Sequence, residues 1–483
     1  MTNFLNTLDS LIWGVPLIVA ILATGIYLSH GLSFLQTKKL GKALKLTFNN
    51  KIEGEGEISP FAALCTALSA TIGTGNMVGV ATAICQGGPG SLFWMVLAAF
   101  FGMATKYSEG FLAIRYRKID ENGIVTGGPF AYIEYGLGKK FKPLAVAFAV
   151  FGIGVALLGI GTFTQVNGVT NATAMFFDPN GVNTVSVLGF IRPISVVITG
   201  VILTIIVALV VIGGLKRISS VAEKIVPFMA ICYVVIGVLF LLFNLTAIPS
   251  AFVEIIQSAF GMRAVSGGIL GTMVIAMQKG IARGIFSNEA GLGSAPIAAA
   301  SAMTKSPVRQ GLISMTGTFF DTIIICTITG LTIVITGAWN MGIEGVAVTS
   351  YAFQTGLPFP TQMTSFIIMI CLAVFAFTTI LGWNFYGERC LGYLSKNNKT
   401  ALWIYRIIFI VAIGIGPYFT LSQVWTIADI VNGLMAIPNI IALLLLSKVV
   451  FKETKHYFAE EKSEPEDRVE AEAEAQAINE IKK

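Results

Sequence analysis

The sequence predicts an all-α integral membrane protein with about eleven transmembrane helices, and three observations carry this prediction. Of the 483 residues, 55% are hydrophobic and only 12% are charged, with a mean hydropathy of +0.78, so charged side chains are too few to cover a soluble surface of this size. Apolar runs long enough to cross a bilayer recur along the chain. Lysine and arginine concentrate in every second loop between these runs, as the positive-inside rule requires.

The predicted spans are residues 12–34, 61–84, 90–114, 143–172, 193–213, 219–243, 267–290, 311–337, 365–387, 401–416 and 424–450. The first loop alone contains Lys38, Lys39, Lys42 and Lys45, whereas the alternate loops contain little beyond Arg192 and Arg263. We therefore expect an external N-terminus and a cytoplasmic C-terminus, which eleven crossings require. The net charge of +6 reflects this topology rather than nucleic-acid binding.

The spans group into two units that follow an extra helix. Residues 1–50 hold the extra N-terminal span and a basic loop, residues 51–263 and 264–452 hold five spans each, and residues 453–483 form an acidic cytoplasmic tail. Because five crossings reverse the orientation of the next unit, this arrangement predicts an inverted repeat. Two histidines and six scattered cysteines give no metal-ligand spacing, so we expect no resident cofactor.

Glycines and small polar residues interrupt two of the apolar runs, as SATIGTGNMVG at residues 69–79 and as AMQKGIARG at residues 276–284. A helix can unwind inside a membrane only where its freed backbone groups meet protein, water or a ligand. Paired broken helices in corresponding halves are typical of a transporter's substrate site. The alternative is that the glycines only permit close packing of helices.

Three motifs resemble a known family: SATIGTGNMVGVATAICQGGPGSLFWM from residue 69, GGP at residues 127–129 and GIFSNEAGLGSAP at residues 284–296. They resemble the alanine or glycine:cation symporters of bacteria and archaea, and the resemblance covers nearly the whole membrane region. Val96 departs from the family's usual tryptophan, on the helix after the interruption. The resemblance implies a LeuT-type five-plus-five inverted repeat in a prokaryotic cell membrane. It also implies uptake of alanine or glycine with sodium and no obligate protein partner.

The substrate implied by the resemblance is a zwitterion, whose two charges need partners at the membrane midplane. Where a helix unwinds and restarts, one half offers free N–H groups and the other offers free carbonyls. We expect the N–H groups to hold the carboxylate, and carbonyls and side-chain oxygens to hold the amino group. The residues in these roles are Thr71, Gly73, Thr74, Gly75 and Asn76 at the first interruption and Ala276, Met277 and Gln278 at the second.

By resemblance, two further helices line the site. The fourth apolar run contains GTFTQ, in which Gln165 is a neutral donor and acceptor for the ligand, and Phe163 or Phe151 is part of a cap. Trp383 is expected as a wall that limits the substrate's side chain. The alternatives are a glutamine satisfied by neighbouring helices and a tryptophan at the membrane interface.

The resemblance also implies a sodium site made of neutral oxygens. Thr378 and Thr379 are adjacent on the ninth run, and the carbonyl of Phe375 lies one turn before them. These groups are expected to face the carbonyls of Ser69 and Ile72 at the first interruption, which completes five oxygens. Alternatively, the threonines bond to carbonyls of their own helix.

Charged residues near the second interruption and in the eighth run also need an explanation. They are Lys279, Arg283, Glu289 and Asp321. Ionisable groups inside a membrane are functional candidates by default, although structural ion pairs explain them equally well. Because Lys279 and Asp321 lie at similar expected depth, we consider them a possible pair.

The sequence thus favours a secondary symporter and not an enzyme. Its first rival is a transporter of the same fold that carries a larger neutral amino acid or couples to protons. An ion channel is a second rival, since two interruptions can flank a pore. An ATP-driven pump is disfavoured because the chain has no G-x-x-x-x-G-K-[ST] loop.

Overall fold

A computed structural model describes residue 7 and residues 12–49, 52–187, 189–261, 269–419 and 421–481. Side chains are described up to residue 461, apart from those of residues 269–270, 421–425 and 427. Arg263 and residues 267–268 of the seventh predicted span lie outside this described part of the chain. The described residues are mostly helical.

Helices α1 to α6 cover Val15–Gly31, Leu35–Lys38, Leu40–Phe48, Pro60–Thr71, Val80–Gly87 and Gly90–Arg115. Helices α7 to α12 cover Pro129–Ala131, Lys142–Leu158, Phe163–Phe177, Ile194–Val211, Gly214–Phe243 and Ile248–Ala259. Helices α13 to α20 cover Ile269–Asn288, Ala295–Ala299, Pro307–Thr318, Thr327–Thr336, Val346–Gly356, Thr361–Ser395, Lys399–Ile415 and Leu421–Ile481.

Short elements connect these helices. Three π-helical segments cover Gly75–Gly79, Tyr132–Gly136 and Phe319–Cys326, and 3₁₀ turns cover Lys139–Phe141, Leu245–Ala247, Ala338–Asn340 and Gly416–Tyr418. Strands β1 (Lys118–Ile119) and β2 (Val125–Thr126) form one antiparallel hairpin, and β3 (Thr184–Val187) and β4 (Phe190–Pro193) form another.

Helix starts follow from local sequence. The Ser59 hydroxyl accepts from the N–H of Ala62 at 3.0 Å at the start of α4, and Asn398 caps α19 in the same way. Proline at the first position of α4 and of α15 fits a helix start, because its missing N–H would have no helical partner there.

Among the described residues, seven helices are long and apolar enough to cross a membrane. The count is eight if the bent pair Pro60–Thr71 and Gly75–Gly87 forms one span. Each of the eleven predicted runs overlaps a helix, which confirms the all-α class, and the number of crossings stays a prediction. The backbone of α20 is helical through Ile481, within the predicted tail.

One face of α10 carries the exposed aliphatic side chains that are expected where a helix contacts lipid. Ile198, Ile202, Ile205 and Leu209 recur every three to four residues, and each is at least 51% exposed. Aliphatic side chains exposed at helical spacing fit a hydrocarbon solvent, because water would disfavour such a stripe. The interior, in contrast, holds fully buried aromatic side chains, among them Trp383 and Phe148.

The first predicted interruption coincides with a bend. Helix α4 ends at Thr71, and the chain resumes in the π-helical segment Gly75–Gly79 before α5. The two helical pieces meet at an angle of 50°. A second irregularity, at residues 159–162, separates α8 from α9.

The second interruption was predicted at the wrong place. Helix α13 runs without a break through residues 276–284. There a Cβ on Gly280 would lie 2.2 Å from the carbonyl oxygen of Ser91, and one on Gly284 would lie 3.0 Å from Met95. Glycines four residues apart therefore let α13 pack closely against α6. The chain leaves the helix later, at residues 289–294 between α13 and α14.

Candidate functional site

Side-chain amides satisfy the backbone at the bend between α4 and α5. The N–H of Gly73 donates to Asn76 Oδ1 at 2.8 Å, and the N–H of Thr74 donates to Gln165 Oε1 at 3.1 Å. Gln165 Nε2 in turn donates to the carbonyl of Ile160 at 3.0 Å, in the irregular turn before α9. Asn76 and Gln165 are almost completely buried. The bend is therefore a closed polar site rather than a simple helix contact.

The hydroxyl of Thr74 lies in the same site. Thr74 is fully buried, and its Oγ1 has no hydrogen-bond partner among the residues that the structure describes. A Cβ on Gly168 of α9 would lie only 2.5 Å from Thr74 Cγ2, so this glycine lets α9 approach the bend. A buried hydroxyl without a partner costs free energy unless something else binds it.

Asp321 joins the bend to the end of α13. Asn76 Nδ2 donates to Asp321 Oδ1 at 2.7 Å, and the hydroxyls of Ser287 and Thr322 donate to Oδ2 at 3.0 and 2.7 Å. Asp321 is fully buried in the π-helical segment between α15 and α16. A Cβ on Gly75 would lie 3.2 Å from the Cα of Ser287, so the two backbones are in contact. π-Helical segments occur often at functional sites.

The interruption between α13 and α14 has its own set of contacts. Glu289, Gly291 and Gly293 have φ angles of 57°, 91° and 82°, in the left-handed region that ends a helix. Glu289 Oε1 accepts from Trp383 Nε1 at 3.0 Å, and its Oε2 accepts from the hydroxyl of Ser294. The carboxylate thus ties the interruption to α18.

A second buried carboxylate holds the same interruption. Glu109 Oε1, on α6, accepts from the N–H of Gly291 at 3.1 Å and from Asn439 Nδ2 at 2.7 Å. Asn439 Nδ2 also donates to the carbonyl of Gly291 at 2.9 Å. Backbone groups freed by the interruption are therefore satisfied by α6 and α20, which explains how unwound chain persists in the interior.

Four of the five predicted sodium ligands lie close together. Thr379 Oγ1 lies 3.1 Å from the carbonyl oxygen of Ile72 and 3.0 Å from that of Phe375. Thr378 Oγ1 lies 2.9 Å from the same Phe375 oxygen. The alternative expected for threonines, bonding to their own helix, also occurs, because both hydroxyls reach carbonyls of α18.

Ser69 and Thr71 lie on the last turn of α4. The Ser69 hydroxyl donates to the carbonyl of Thr66 at 2.8 Å, and a Cβ on Gly382 would lie 2.6 Å from its oxygen, so Ser69 faces α18. Thr71 Oγ1 donates to the carbonyl of Leu68 at 3.3 Å.

The structure does not bring Phe163 to the bend. Its ring stacks on Phe419 with centroids 4.7 Å apart, whereas Gln165, two residues later, points to Thr74. Residues i and i+2 face different sides of a helix, which explains the separation. Phe151 is half-buried against the main core. Trp383 is fully buried, and its Nε1 donates to Glu289 Oε1 at 3.0 Å.

Ala276, Met277 and Gln278 were predicted to lie at the second interruption. They lie instead within the continuous helix α13, away from both interruptions. Gln278 precedes Ser287 by nine helical residues, or about 14 Å along the axis. Ala276 and Lys279 lie beside Gly87 at the far end of α5.

The predicted pair of Lys279 and Asp321 does not form in the structure. Lys279 lies beside Gly87, eleven residues beyond Asn76, while the hydrogen bonds of the Asp321 carboxylate go to Asn76, Ser287 and Thr322. Arg283 pairs with Asp429 through two contacts of 3.0 and 2.8 Å.

Several residues at the site were missed by sequence reasoning. They are Ser287, Glu109 and Asn439, together with Lys106, which is 3% exposed on α6. Lys106 and Thr71 line a small cavity of about 10 Å³, room for one water molecule. One signal was available in the sequence: Gly291 and Gly293 alternate after polar residues and precede Pro296, which is typical of a helix end and restart.

An all-α membrane bundle whose interrupted helices meet around buried polar groups is the architecture of a secondary transporter. The fold is similar to that of MhsT in complex with L-phenylalanine, with a TM-score of 0.57, 12% sequence identity, and coverage of 83% of this chain and 98% of that chain. This likeness establishes the LeuT fold.

The chain belongs to the sodium:alanine symporter family, whose model matches residues 1–472. It is 46% identical over 463 residues to the sodium/alanine symporter AgcS of Methanococcus maripaludis, covering 94% of this chain and 97% of that protein. It is 36% identical over 465 residues to the probable sodium/glutamine symporter GlnT of Bacillus subtilis, covering 96% and 92%. The family is one of transporters, and sodium is its coupling ion.

Proposed function

We propose that this protein imports alanine or glycine together with sodium, by alternating access around the bend between α4 and α5. The observation that carries the proposal is the pair of backbone N–H groups of Gly73 and Thr74, which donate to the side-chain amide oxygens of Asn76 and Gln165. Amide oxygens occupy the positions that the two oxygens of a substrate carboxylate would take.

The carboxylate enters by replacing the Gln165 oxygen at the N–H of Thr74. The adjacent Thr74 hydroxyl, which is buried and lacks a partner among the described residues, then supplies a second donor. Gln165 is free to turn its amide N–H towards the same carboxylate. Hydrogen bonds to a charged group contribute about 1.5–3 kcal/mol each, so this exchange favours the bound state.

A small side chain fits the narrow space beside the bend. A Cβ on Gly73 would already lie 2.4 Å from Thr379 Oγ1, so little volume is available between α4 and α18. Trp383 lies one helical turn after Thr379 on α18 and is fully buried, which supports its role as a wall. Alanine and glycine are therefore better candidates than branched or aromatic amino acids.

Sodium binds where α4 meets α18. The Thr379 hydroxyl oxygen lies within 3.1 Å of the carbonyl oxygens of Ile72 and Phe375. The Thr378 hydroxyl oxygen lies 2.9 Å from the same Phe375 oxygen. If the two hydroxyl hydrogens rotate away from the carbonyls, four oxygens are available to a cation. The backbone carbonyl of Ser69 is the proposed fifth ligand. Because Ile72 directly precedes Gly73, sodium binding orders the same backbone that receives the amino acid.

Cavities on two sides of the bend support alternating access. One, of about 330 Å³, extends from Val78 and Gly168 to Asp178 and Glu344, on the side predicted to be external. The small cavity beside Lys106 lies on the opposite side. Opening of one cavity and closure of the other would expose the site to each side in turn.

Uptake of labelled alanine into liposomes tests the proposal. The full chain should accumulate alanine under an inward sodium gradient and not under an equal choline gradient, and unlabelled glycine should compete. At 100 mV, inside negative, each positive charge that enters supplies about 2.3 kcal/mol, or roughly fortyfold accumulation. Equal uptake without any sodium or proton gradient would contradict the proposal.

A pair of variants links the activity to the bend. Gln165→Ala should raise the KM for alanine about tenfold or more, because a hydrogen bond to a charged group is lost. Thr173→Ala is the matched control on the same helix, since its hydroxyl donates only within α9, at 2.6 Å to the carbonyl of Val169. The control should keep the wild-type KM.

A second candidate is a transporter of a larger neutral amino acid, favoured by the 36% identity to a probable sodium/glutamine symporter. Unlabelled glutamine or leucine would then compete with labelled alanine as strongly as glycine does. Proton coupling is distinguished in the same liposomes, because it would drive uptake under a pH gradient without sodium.

A further inference from the structure

A groove lies where the end of α1 meets the middle of α20, and five lysines surround it. Its volume is about 1020 Å³, at the upper end of the range of small-molecule sites. The lysines are Lys38, Lys39, Lys448, Lys452 and Lys455. We call this feature the lysine groove.

The lysines of the groove have no acidic partner among the described side chains. No Asp or Glu is among its described lining residues, and none of its five lysines has an ion pair among the described side chains. The neighbouring Lys42, outside the groove, is paired with Glu461. Lys448, Lys452 and Lys455 share one face of α20, where like charges three and four residues apart repel. An anion in the groove would relieve this repulsion.

The walls of the lysine groove are fixed by packing. A Cβ on Gly31 would lie 2.1 Å from the ring of Phe451, so α1 and α20 touch at this glycine. The Tyr27 and Ser447 hydroxyl oxygens are 3.2 Å apart across the same contact. Gln36 Nε2 donates to Ser29 Oγ at 2.8 Å, which pins the turn after α1. The groove is therefore formed before any ligand binds.

The position of the groove matches lipid headgroups. Helix α1 ends at Gly31, and the apolar run of α20 ends at Lys448, so the lysines lie where hydrocarbon gives way to water. Apolar side chains form the floor, including the buried Leu32 and Leu35 and the half-buried Phe458. A soluble anion would use the lysines but not this floor.

We propose that the lysine groove binds an anionic phospholipid, with its phosphates on the lysines and its glycerol and upper acyl chains on the apolar floor. Basic pockets between membrane helices bind such headgroups through the same combination of charge and apolar contact. Lys448 and Lys455 are seven residues apart, or about 10 Å along the helix, so the row is long enough for two phosphates. Diphosphatidylglycerol therefore fits better than a lipid with one phosphate. The proposal does not depend on the transported substrate.

Native mass spectrometry of the full chain in detergent tests the proposal by titration with defined lipids. Diphosphatidylglycerol should bind most tightly, phosphatidylglycerol less tightly, and phosphatidylcholine at least tenfold more weakly than either. The triple variant Lys448→Gln, Lys452→Gln and Lys455→Gln should bind diphosphatidylglycerol about a hundredfold more weakly, since each lysine near a membrane surface contributes about 1 kcal/mol.

The matched control removes three exposed lysines elsewhere on the predicted cytoplasmic face, by Lys139→Gln, Lys140→Gln and Lys216→Gln. It carries the same change in charge and should keep the wild-type affinity within twofold. A second variant, Lys38→Gln with Lys39→Gln, alters the opposite wall and should weaken binding about tenfold or more. Size-exclusion profiles and melting temperatures verify that each variant is folded.

Three results would overturn the proposal. Equal loss in the triple variant and its control would mean that only net charge matters. Equal binding of phosphatidylcholine would mean that the groove does not select anionic lipid. Full competition by inorganic phosphate at the lipid's own concentration would assign the groove to a soluble anion.

Discussion

Replacement of Gly73 by alanine tests the central contact between the bend and α18. A Cβ at this position would lie 2.4 Å from Thr379 Oγ1 and 3.0 Å from Gln165 Oε1. The first distance is 1.0 Å shorter than the 3.4 Å at which ordinary contact begins, so one partner must move. Both partners are proposed to contact ligands, Thr379 the sodium ion and Gln165 the amino acid.

The magnitude follows from the cost of overpacking. An extra methyl group in a well-packed interior costs about 1–3 kcal/mol. If displacement of these side chains destabilises the ligand-bound state by this amount, the affinity for sodium or alanine falls about five- to 150-fold. Because Gly73 contacts both side chains, we expect the KM for sodium and the KM for alanine to rise together.

Gly79→Ala is the matched control. It makes the same substitution six residues later, and nothing lies within 4 Å of its Cβ. This variant should transport alanine within twofold of the wild type and should be slightly more stable, since alanine restricts the unfolded chain. Liposome uptake at varied sodium and varied alanine gives both KM values for each variant.

Wild-type KM values for both ligands in Gly73→Ala, together with a normal melting temperature, would refute the proposed contacts. Such a result would mean that Thr379 and Gln165 can move without cost and do not contact the ligands. Equal impairment of both glycine variants would instead indicate a general loss of helix geometry.

Three further changes have defined outcomes. Thr379→Val should raise the KM for sodium at least tenfold by removing one proposed oxygen, while Thr364→Val, a buried threonine on the same helix, should not change sodium dependence. Trp383→Phe removes the N–H that donates to Glu289 Oε1 and leaves a buried carboxylate short of a donor, so thermal unfolding should shift down by an amount equivalent to about 1–3 kcal/mol. Gly280→Leu should lower the melting temperature of the detergent-solubilised protein by overpacking α13 against α6, and the surviving folded fraction should keep the wild-type KM for alanine, because the position lies far from the bend.

The fold class and the first interruption were accessible from sequence because both depend on local composition. Apolar runs separated by basic loops specify membrane helices, and each run overlaps at least one helix. The glycines and hydroxyls of residues 69–79 form a dense cluster at the middle of a span, and the chain bends by 50° there. Gln165 was placed correctly beside this cluster by family resemblance, and its bond to Thr74 now gives a physical reason.

The second interruption was misplaced because glycine has two uses in membrane helices. Gly280 and Gly284 are four residues apart on one helical face and permit close packing. Gly291 and Gly293 are two residues apart and adopt left-handed angles that end the helix. Spacing therefore distinguishes the two uses: glycines at helical spacing favour packing, and alternating glycines after polar residues favour a break.

The buried charges could not be assigned from sequence, because their partners come from helices far apart along the chain. Glu109 on α6 accepts from the N–H of Gly291, and Asp321 accepts from Asn76, so each carboxylate satisfies or orients backbone that an interruption has freed. Sequence reasoning gave Asp321 and Lys279 a similar depth and considered them a possible pair, but Lys279 lies beside Gly87, about 12 Å along α13 from Ser287, whose hydroxyl binds Asp321. A carboxylate beside unwound backbone stabilises free donors, since the interrupted helix itself supplies N–H groups. The two interruptions of this chain are therefore held by buried acids of neighbouring spans as well as by glycines, and both are signals to seek in a sequence.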